Sequence, residues 1–119
     1  MTTAPSKSRL RVTGFWPDNW VADRLEVVVD PREHARNLRI VGRPVAEMTL
    51  EVSTNGMELG RFELRESERE SVSVQLPRGS REMVTFSFSE HTVDASGRSV
   101  AFLLQETNMF REEDLHSLG

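Results

Sequence analysis

The sequence predicts an all-β protein: an antiparallel β-sandwich, immunoglobulin-like or jelly-roll-like, of about seven to eight short strands. Apolar and polar residues alternate with a period of two in several segments, most clearly in Met83–Ser89, where Val84, Phe86 and Phe88 alternate with polar residues. Turn-forming residues separate these segments at intervals of roughly ten residues. A third observation agrees, since no long segment shows the apolar spacing of an amphipathic helix.

The first predicted strands precede and follow an aromatic stretch near the N-terminus. Leu10–Thr13 leads into this stretch, and the β-branched run Arg24–Val29 follows it. Asp30-Pro31 ends that run, because proline cannot continue a central ladder. The next strand is Leu38–Val41, and the sequence predicts that Gly42-Arg43-Pro44 closes it.

A hairpin is predicted in the middle of the chain. Met48–Val52 alternates like a half-buried strand, and Asn55-Gly56 is a strong signal for a tight hairpin turn. Met57–Leu64 is the returning strand. Its apolar spacing slips near Gly60, which predicts a β-bulge there.

The remaining strands lie in the C-terminal half. Val72–Leu76 alternates until Pro77 stops it, and Met83–Ser89 follows. His91–Arg98 is predicted to be a loop because of its aspartate, serine and glycine. Val100–Leu104 is apolar at both odd and even positions, which predicts a strand buried on both sides or a central one.

The chain of 119 residues predicts a single domain. Residues 10–110 form the predicted sandwich. Residues 1–9 are interpreted as a flexible polar tail and residues 111–119 as an acidic C-terminal tail. The N-terminus has no apolar run typical of a signal peptide, and no segment approaches a membrane span, so we expect a cytoplasmic protein.

Composition excludes several classes of function. A net charge of −4 disfavours nucleic-acid binding, which requires a basic face. The absence of cysteine excludes disulfides and thiolate metal sites. The histidines His34, His91 and His116 are far apart in sequence and do not specify a metal site, so we expect neither a metal nor a cofactor.

The aromatic stretch contains the main candidate site. Trp16 and Trp20 flank a Pro-Asp-Asn turn, whose Asp18 and Asn19 readily adopt turn conformations. Apolar sugar faces stack on exposed indoles, and carboxylates and amides bind the hydroxyls. The same two indoles could instead seal one end of the hydrophobic core. The sequence leaves both interpretations open.

No catalytic signature is present. The chain contains neither a G-x-S-x-G elbow nor a glycine-rich phosphate loop. The segment Asp94–Arg98 lacks the ligand spacing of a calcium loop and is interpreted as a turn, with Arg98 able to pair with Asp94. We therefore expect no catalytic residues and no enzyme activity.

Two motifs resemble a known family. The stretch GFWPDNWV from Gly14 is similar to the G-(F/Y)-x-x-D-x-W-(V/I/A) opening of small β-sandwich modules attached to bacterial glycosyltransferases. The stretch GRSVAFLL from Gly97 resembles their closing segment. The resemblance implies a non-catalytic module in glycan synthesis, with Asp18 and Trp20 as the opening motif's residues and Arg98 as its closing arginine. No glycosyltransferase domain accompanies these motifs here.

Three functions are compatible with these observations. The first is a glycan-binding or glycosyltransferase-associated module using Trp16, Asp18, Asn19, Trp20 and Arg98. The second is a protein-interaction module that dimerises through an exposed sheet edge or face. The third is a small jelly-roll enzyme, which would require a metal or a pocket of histidines and carboxylates.

Overall fold

The computed structural model describes residues 11–16, 18–29, 37–76 and 82–108, and the predicted tails lie outside these ranges. Within them the regular structure is entirely β, which confirms the predicted all-β class. No described segment is a helix that is both long and apolar enough to traverse a membrane. The described residues form ten strands: β1 Arg11–Phe15, β2 Trp20–Val29, β3 Asn37–Pro44, β4 Met48–Thr54, β5 Met57–Leu64, β6 Glu70–Gln75, β7 Glu82–Phe88, β8 Thr92–Val93, β9 Ser99–Val100 and β10 Phe102–Thr107.

Eight strands form one antiparallel sheet that folds over itself. Their order is β5-β4-β7-β2-β10-β3-β6, with β1 also paired to β2. Strand β2 joins the two halves, since Trp20 and Val21 pair with β10 whereas residues 24–29 pair with β7. The end strands β5 and β6 then approach each other: a Cβ atom on Gly60 would lie 3.3 Å from Cγ1 of Val74. The result is a sandwich, as predicted.

The core lies between the two halves. Phe88 of β7 stacks on Phe102 of β10 with ring centroids 5.4 Å apart, so the largest side chains of opposite halves meet. Val84, Phe86 and Phe88 are buried, whereas Thr85 and Ser87 between them are only half-buried. The period-two pattern therefore corresponds to inward and outward side chains.

The central hairpin forms as predicted. Asn55 and Gly56 both have positive φ, 51° and 79°, which the favoured two-residue turn requires. The predicted bulge is also present, because Val52 pairs with Gly60 while the adjacent Ser53 pairs with Glu58. Leu59 is thus the extra residue, next to the predicted glycine.

Among the first three strands, two predicted boundaries were wrong by more than two residues. Strand β2 begins at Trp20 rather than Arg24, because Trp20 and Val21 pair with β10. Strand β3 continues through residues 42–44, which were expected to end it. Gly42 serves close packing: a Cβ atom there would lie 2.1 Å from the carbonyl oxygen of Leu103 and 2.5 Å from the Phe102 ring.

The region from His91 to Leu104 also differs in detail from the prediction. The expected loop includes the two-residue strand β8, which pairs with β9. The expected single strand is divided into β9 and β10 at Ala101. The amide of Ala101 donates to the Val21 carbonyl at 2.7 Å, and its own carbonyl accepts from the amide of Val45 at 2.9 Å. Ala101 therefore connects β2 to the segment after β3.

Candidate functional site

The aromatic corner is closed by backbone hydrogen bonds. The amide of Trp16 donates to the Trp20 carbonyl at 2.8 Å, and the amide of Asn19 donates to the Trp16 carbonyl at 2.9 Å. Asn19 has φ 74°, a left-handed conformation that asparagine tolerates better than most residues. The two tryptophans are thus opposed across a tight turn, and Asp18 and Asn19 are exposed at its tip.

Both tryptophans belong to the outer face of the sheet. Opposed residues of an antiparallel pair share a face, and successive residues alternate between faces. The neighbouring pair is Phe15 and Val21, and both pack into the core. Trp20 is also paired with Leu103 of β10. Trp16, Trp20 and Leu103 are each half-buried, and we call this outward-facing group the aromatic platform.

Trp16 is anchored within this platform. Its indole Nε1 donates to the carbonyl oxygen of Ser99 at 2.9 Å. The guanidinium of Arg98 lies over its ring, with the central carbon 5.4 Å from the centroid, a cation–π arrangement. By contrast, no residue that the structure describes hydrogen-bonds the indole of Trp20. The two tryptophans therefore have different surroundings despite their opposed positions.

Arg98 connects the corner to the turn before β9. Its terminal nitrogens donate to both carboxylate oxygens of Asp18, at 3.2 and 2.8 Å. Its Nε donates to Asp94 at 2.8 Å, and Nη2 lies 2.7 Å from the same carboxylate oxygen. The expected pairing with Asp94 is confirmed. We call Asp18, Asp94 and Arg98 the arginine clasp.

The clasp perturbs the titration of its members. Hydrogen bonding to Arg98 is the main cause that lowers the pKa of Asp18. The pKa of Asp94 is lowered mainly by the backbone amide of Arg98, and then by its side chain. The two aspartates in turn raise the pKa of Arg98. All three groups are consequently charged at neutral pH.

The segment Asp94–Arg98 is a turn, as predicted. Oδ1 of Asp94 accepts from the amides of Ser96 and Arg98, at 2.8 and 3.0 Å. The amide of Gly97 donates to the Asp94 carbonyl at 2.9 Å, and Gly97 has φ 87°. This local network positions the Arg98 side chain toward Asp18.

Sequence reasoning missed a neighbouring polar group. The hydroxyl of Ser99 donates to Asp23 at 3.1 Å, and Nδ1 of His91 lies 3.8 Å from the other oxygen of that carboxylate. Ser99 and Asp23 are 76 residues apart and neither belongs to a recognisable motif, so no sequence signal was available. Within the described ranges no three His, Cys, Asp or Glu side chains are arranged to hold a metal ion.

The structure brings together most of the predicted site residues. Arg98 contacts both Trp16 and Asp18, Asn19 forms the turn, and Trp20 lies across from Trp16. Of the three histidines considered as metal ligands, His91 lies beside Asp23, whereas His34 and His116 are outside the described residues. The site thus combines a partly exposed indole with an immobilised carboxylate.

Comparisons with known proteins identify no family. No protein-family model matches the chain, and no curated protein matches its sequence. Among solved structures, a family two carbohydrate esterase from Clostridium thermocellum, in complex with cellohexaose, is similar at 15% identity and a TM-score of 0.49. The similarity covers 83% of this chain but only 29% of the esterase chain. The functional interpretation therefore depends on this chain's own residues.

Proposed function

We propose that this chain is a non-catalytic β-sandwich module that binds carbohydrate at the aromatic platform. One observation carries the proposal: the half-buried indole of Trp20 lies at the same corner as the Asp18 carboxylate, whose side chain is 53% exposed although Arg98 holds it in place. A stacking surface beside a fixed hydrogen-bond acceptor is the arrangement that a pyranose ring and its hydroxyls require.

The two tryptophans have separate roles in this proposal. Trp20 provides the stacking surface, and its indole N–H is available to donate to a sugar hydroxyl. Trp16 supports the platform, because its indole N–H is bonded to Ser99 and Arg98 lies over its ring. Asp18 and the exposed Asn19 bind hydroxyl groups at the edge of the sugar.

The backbone around this site favours recognition without large rearrangement. The corner is closed by two backbone hydrogen bonds, and the arginine clasp joins it to the turn before β9. A site that is ordered before its ligand arrives loses less conformational entropy on binding. The resemblance to glycosyltransferase-associated modules supports a place in glycan synthesis, with a glycosyltransferase as the partner of the module.

A glycan array followed by titration of tryptophan fluorescence tests the proposal. We expect the wild-type chain to bind at least one oligosaccharide and to change its emission on binding. Trp20→Ala should abolish binding while the protein remains folded by circular dichroism. Trp16→Phe should retain binding if the protein remains folded. Absence of binding to every glycan, or undiminished binding by Trp20→Ala, would contradict the assignment.

A second candidate function is protein assembly through the opposite end of the sandwich. Met57 and Met83 are large apolar side chains that are 50% and 48% exposed. They are neighbours of Thr54, since Met57 pairs with it and the Met83 carbonyl accepts from its hydroxyl at 2.8 Å. If the chain forms a homodimer there, its sedimentation coefficient should rise with protein concentration. The double variant Met57→Gln, Met83→Gln should lose this concentration dependence. A monomer at micromolar concentrations would argue against it.

A further inference from the structure

We infer that the saccharide taken by the aromatic platform carries no acidic group. This inference rests on the proposed carbohydrate function and deepens it by naming the charge class of the ligand. It follows from the balance of charged side chains around Trp20, and in particular from how completely the nearest cation is engaged.

The guanidinium of Arg98 is not available to a ligand anion. Three of its nitrogens are bonded to the carboxylates of Asp18 and Asp94, at 2.7 to 3.2 Å. Its side chain is only 26% exposed. An incoming carboxylate would have to displace one of these aspartates from a bidentate or forked pairing, the strongest form of such contacts.

The net charge at this corner is negative. The clasp contains two carboxylates and one guanidinium. Asp23 is connected to Trp16 of the platform through Ser99, whose hydroxyl donates to Asp23 and whose carbonyl accepts from Trp16. The histidine beside Asp23 does not offset this charge unless it is protonated. With this histidine counted as neutral, three carboxylates and one guanidinium give the corner a formal charge of about −2.

The nearest arginines of adjoining strands do not reverse this balance. Arg24 of β2 is paired with Glu26 at 3.0 Å. Arg43 is opposed to Leu103 at the far side of the platform and donates to the Ser67 carbonyl at 2.6 Å. Arg43 has no carboxylate partner among the described residues, but its head group is bonded to Ser67 and it adds only one positive charge beside Leu103.

Hydrogen-bond chemistry leads to the same ligand class. Asp18 presents acceptor oxygens and Asn19 presents both an acceptor and donors. These groups complement hydroxyls, which donate and accept, whereas a uronate would oppose its carboxylate to that of Asp18. A net charge of about −2 at the corner repels a ligand carboxylate about 10 Å away in water. This repulsion weakens binding roughly four-fold for each acidic group at that distance.

Matched oligosaccharides test the inference. The probes are three pairs that differ only in CH2OH or carboxylate at C6: β-1,4-mannohexaose and its mannuronate, cellohexaose and its glucuronate, and α-1,4-galactohexaose and its galacturonate. Dissociation constants are measured by fluorescence titration at 10 and 300 mM salt. In any pair that binds, we expect the hexauronate to bind at least ten-fold more weakly than its neutral partner at 10 mM salt. The difference should narrow at 300 mM, since salt screens exposed charges.

A charge variant provides the internal check. Asp23→Asn removes one carboxylate near the platform without altering Trp20 or Asp18, and it should improve uronate binding several-fold while changing neutral binding less than two-fold. Glu63→Gln is the matched control, because Glu63 lies on β5, three strands from β2. It should change neither affinity.

The outcomes separate the two levels of the proposal. Uronates that bind as well as or better than their neutral partners would overturn the inference and leave carbohydrate binding established. The inference would also be overturned if the ratio of the neutral and uronate dissociation constants changed neither in Asp23→Asn nor at 300 mM salt. Binding of no member of any pair, with no glycan bound on the array, would overturn both the inference and the carbohydrate function on which it rests.

Discussion

Replacing Trp16 by phenylalanine isolates the contribution of one indole N–H to the stability of the corner. The hydrogen bond from Nε1 to the Ser99 carbonyl spans 2.9 Å and joins residues 83 positions apart. Phenylalanine keeps an aromatic ring in place but cannot donate this bond. The variant therefore tests whether the N–H of Trp16 ties the corner to β9, as its geometry indicates.

The expected loss follows from the burial of this bond. A typical intramolecular hydrogen bond contributes about 1 kcal/mol, and a partly buried carbonyl left without its donor adds up to roughly the same amount. We therefore expect the free energy of unfolding to fall by about 1–2 kcal/mol. For a domain of this size each kcal/mol shifts Tm by roughly 4 °C, so Tm should fall by about 4–8 °C.

Denaturant and thermal unfolding measure this effect, with Trp20→Phe as the matched control. No residue in the described part of the chain hydrogen-bonds the Trp20 indole, so the control removes a similar area of ring without removing a bond. It should lose less than half as much stability. The m-value should be unchanged in both variants. Equal losses in the two variants, or no loss in Trp16→Phe, would refute the assigned role.

Two further predictions concern the backbone and the clasp. Gly14→Ala should cost more than about 3 kcal/mol, because Gly14 has φ 92° and an added Cβ would lie 2.1 Å from a backbone carbonyl oxygen of β2. Gly56→Ala should cost only about 1 kcal/mol, because Gly56 has φ 79° but an added Cβ would meet nothing within 4 Å. Urea unfolding measures both free energies, and similar losses in the two variants would contradict this reasoning. Because the pKa values of Asp18 and Asp94 are lowered from 3.8 in the folded state, the clasp stabilises the fold above that pH and loses this effect as pH falls through the lower folded values. Thermal unfolding midpoints measured between pH 7 and 2.5 should therefore fall less steeply below pH 4 in Arg98→Met than in the wild type. Parallel pH dependences of the two midpoints would rule out a contribution of the clasp.

Local patterns predicted much of this structure. The alternation in Met83–Ser89 and the Asn55-Gly56 turn identified β7 and the central hairpin, because both depend on neighbouring residues alone. The pairing of Arg98 with Asp94 was accessible for the same reason, since four residues separate them. The C-terminal boundary of β3 was not accessible from the sequence. Gly42 resembles a strand terminator, and only the structure shows the ring of Phe102 packed against it.

The site shows the same division. Sequence reasoning selected Trp16, Asp18, Trp20 and Arg98 but could not say which of the two indoles was anchored. That depends on Ser99, which meets Trp16 only after β2 and the segment leading into β10 have paired. The sequence also left open whether the tryptophans were buried in the core or lay on the surface. Their alternation with Phe15 and Val21 assigns the two pairs to opposite faces of the sheet, but only the folded sandwich shows which face is buried.

By itself, the amino-acid sequence determined the all-β class, the turns and the composition of the aromatic corner, because period-two burial and turn preferences act over a few residues. Only the tertiary structure decided that Arg98 would join Asp18, 80 residues away, to Asp94. It also decided that β2 would be shared between both halves of the sandwich. The physical reason is that strand register between distant segments is set by burial summed over the whole sheet, which no short stretch of sequence contains.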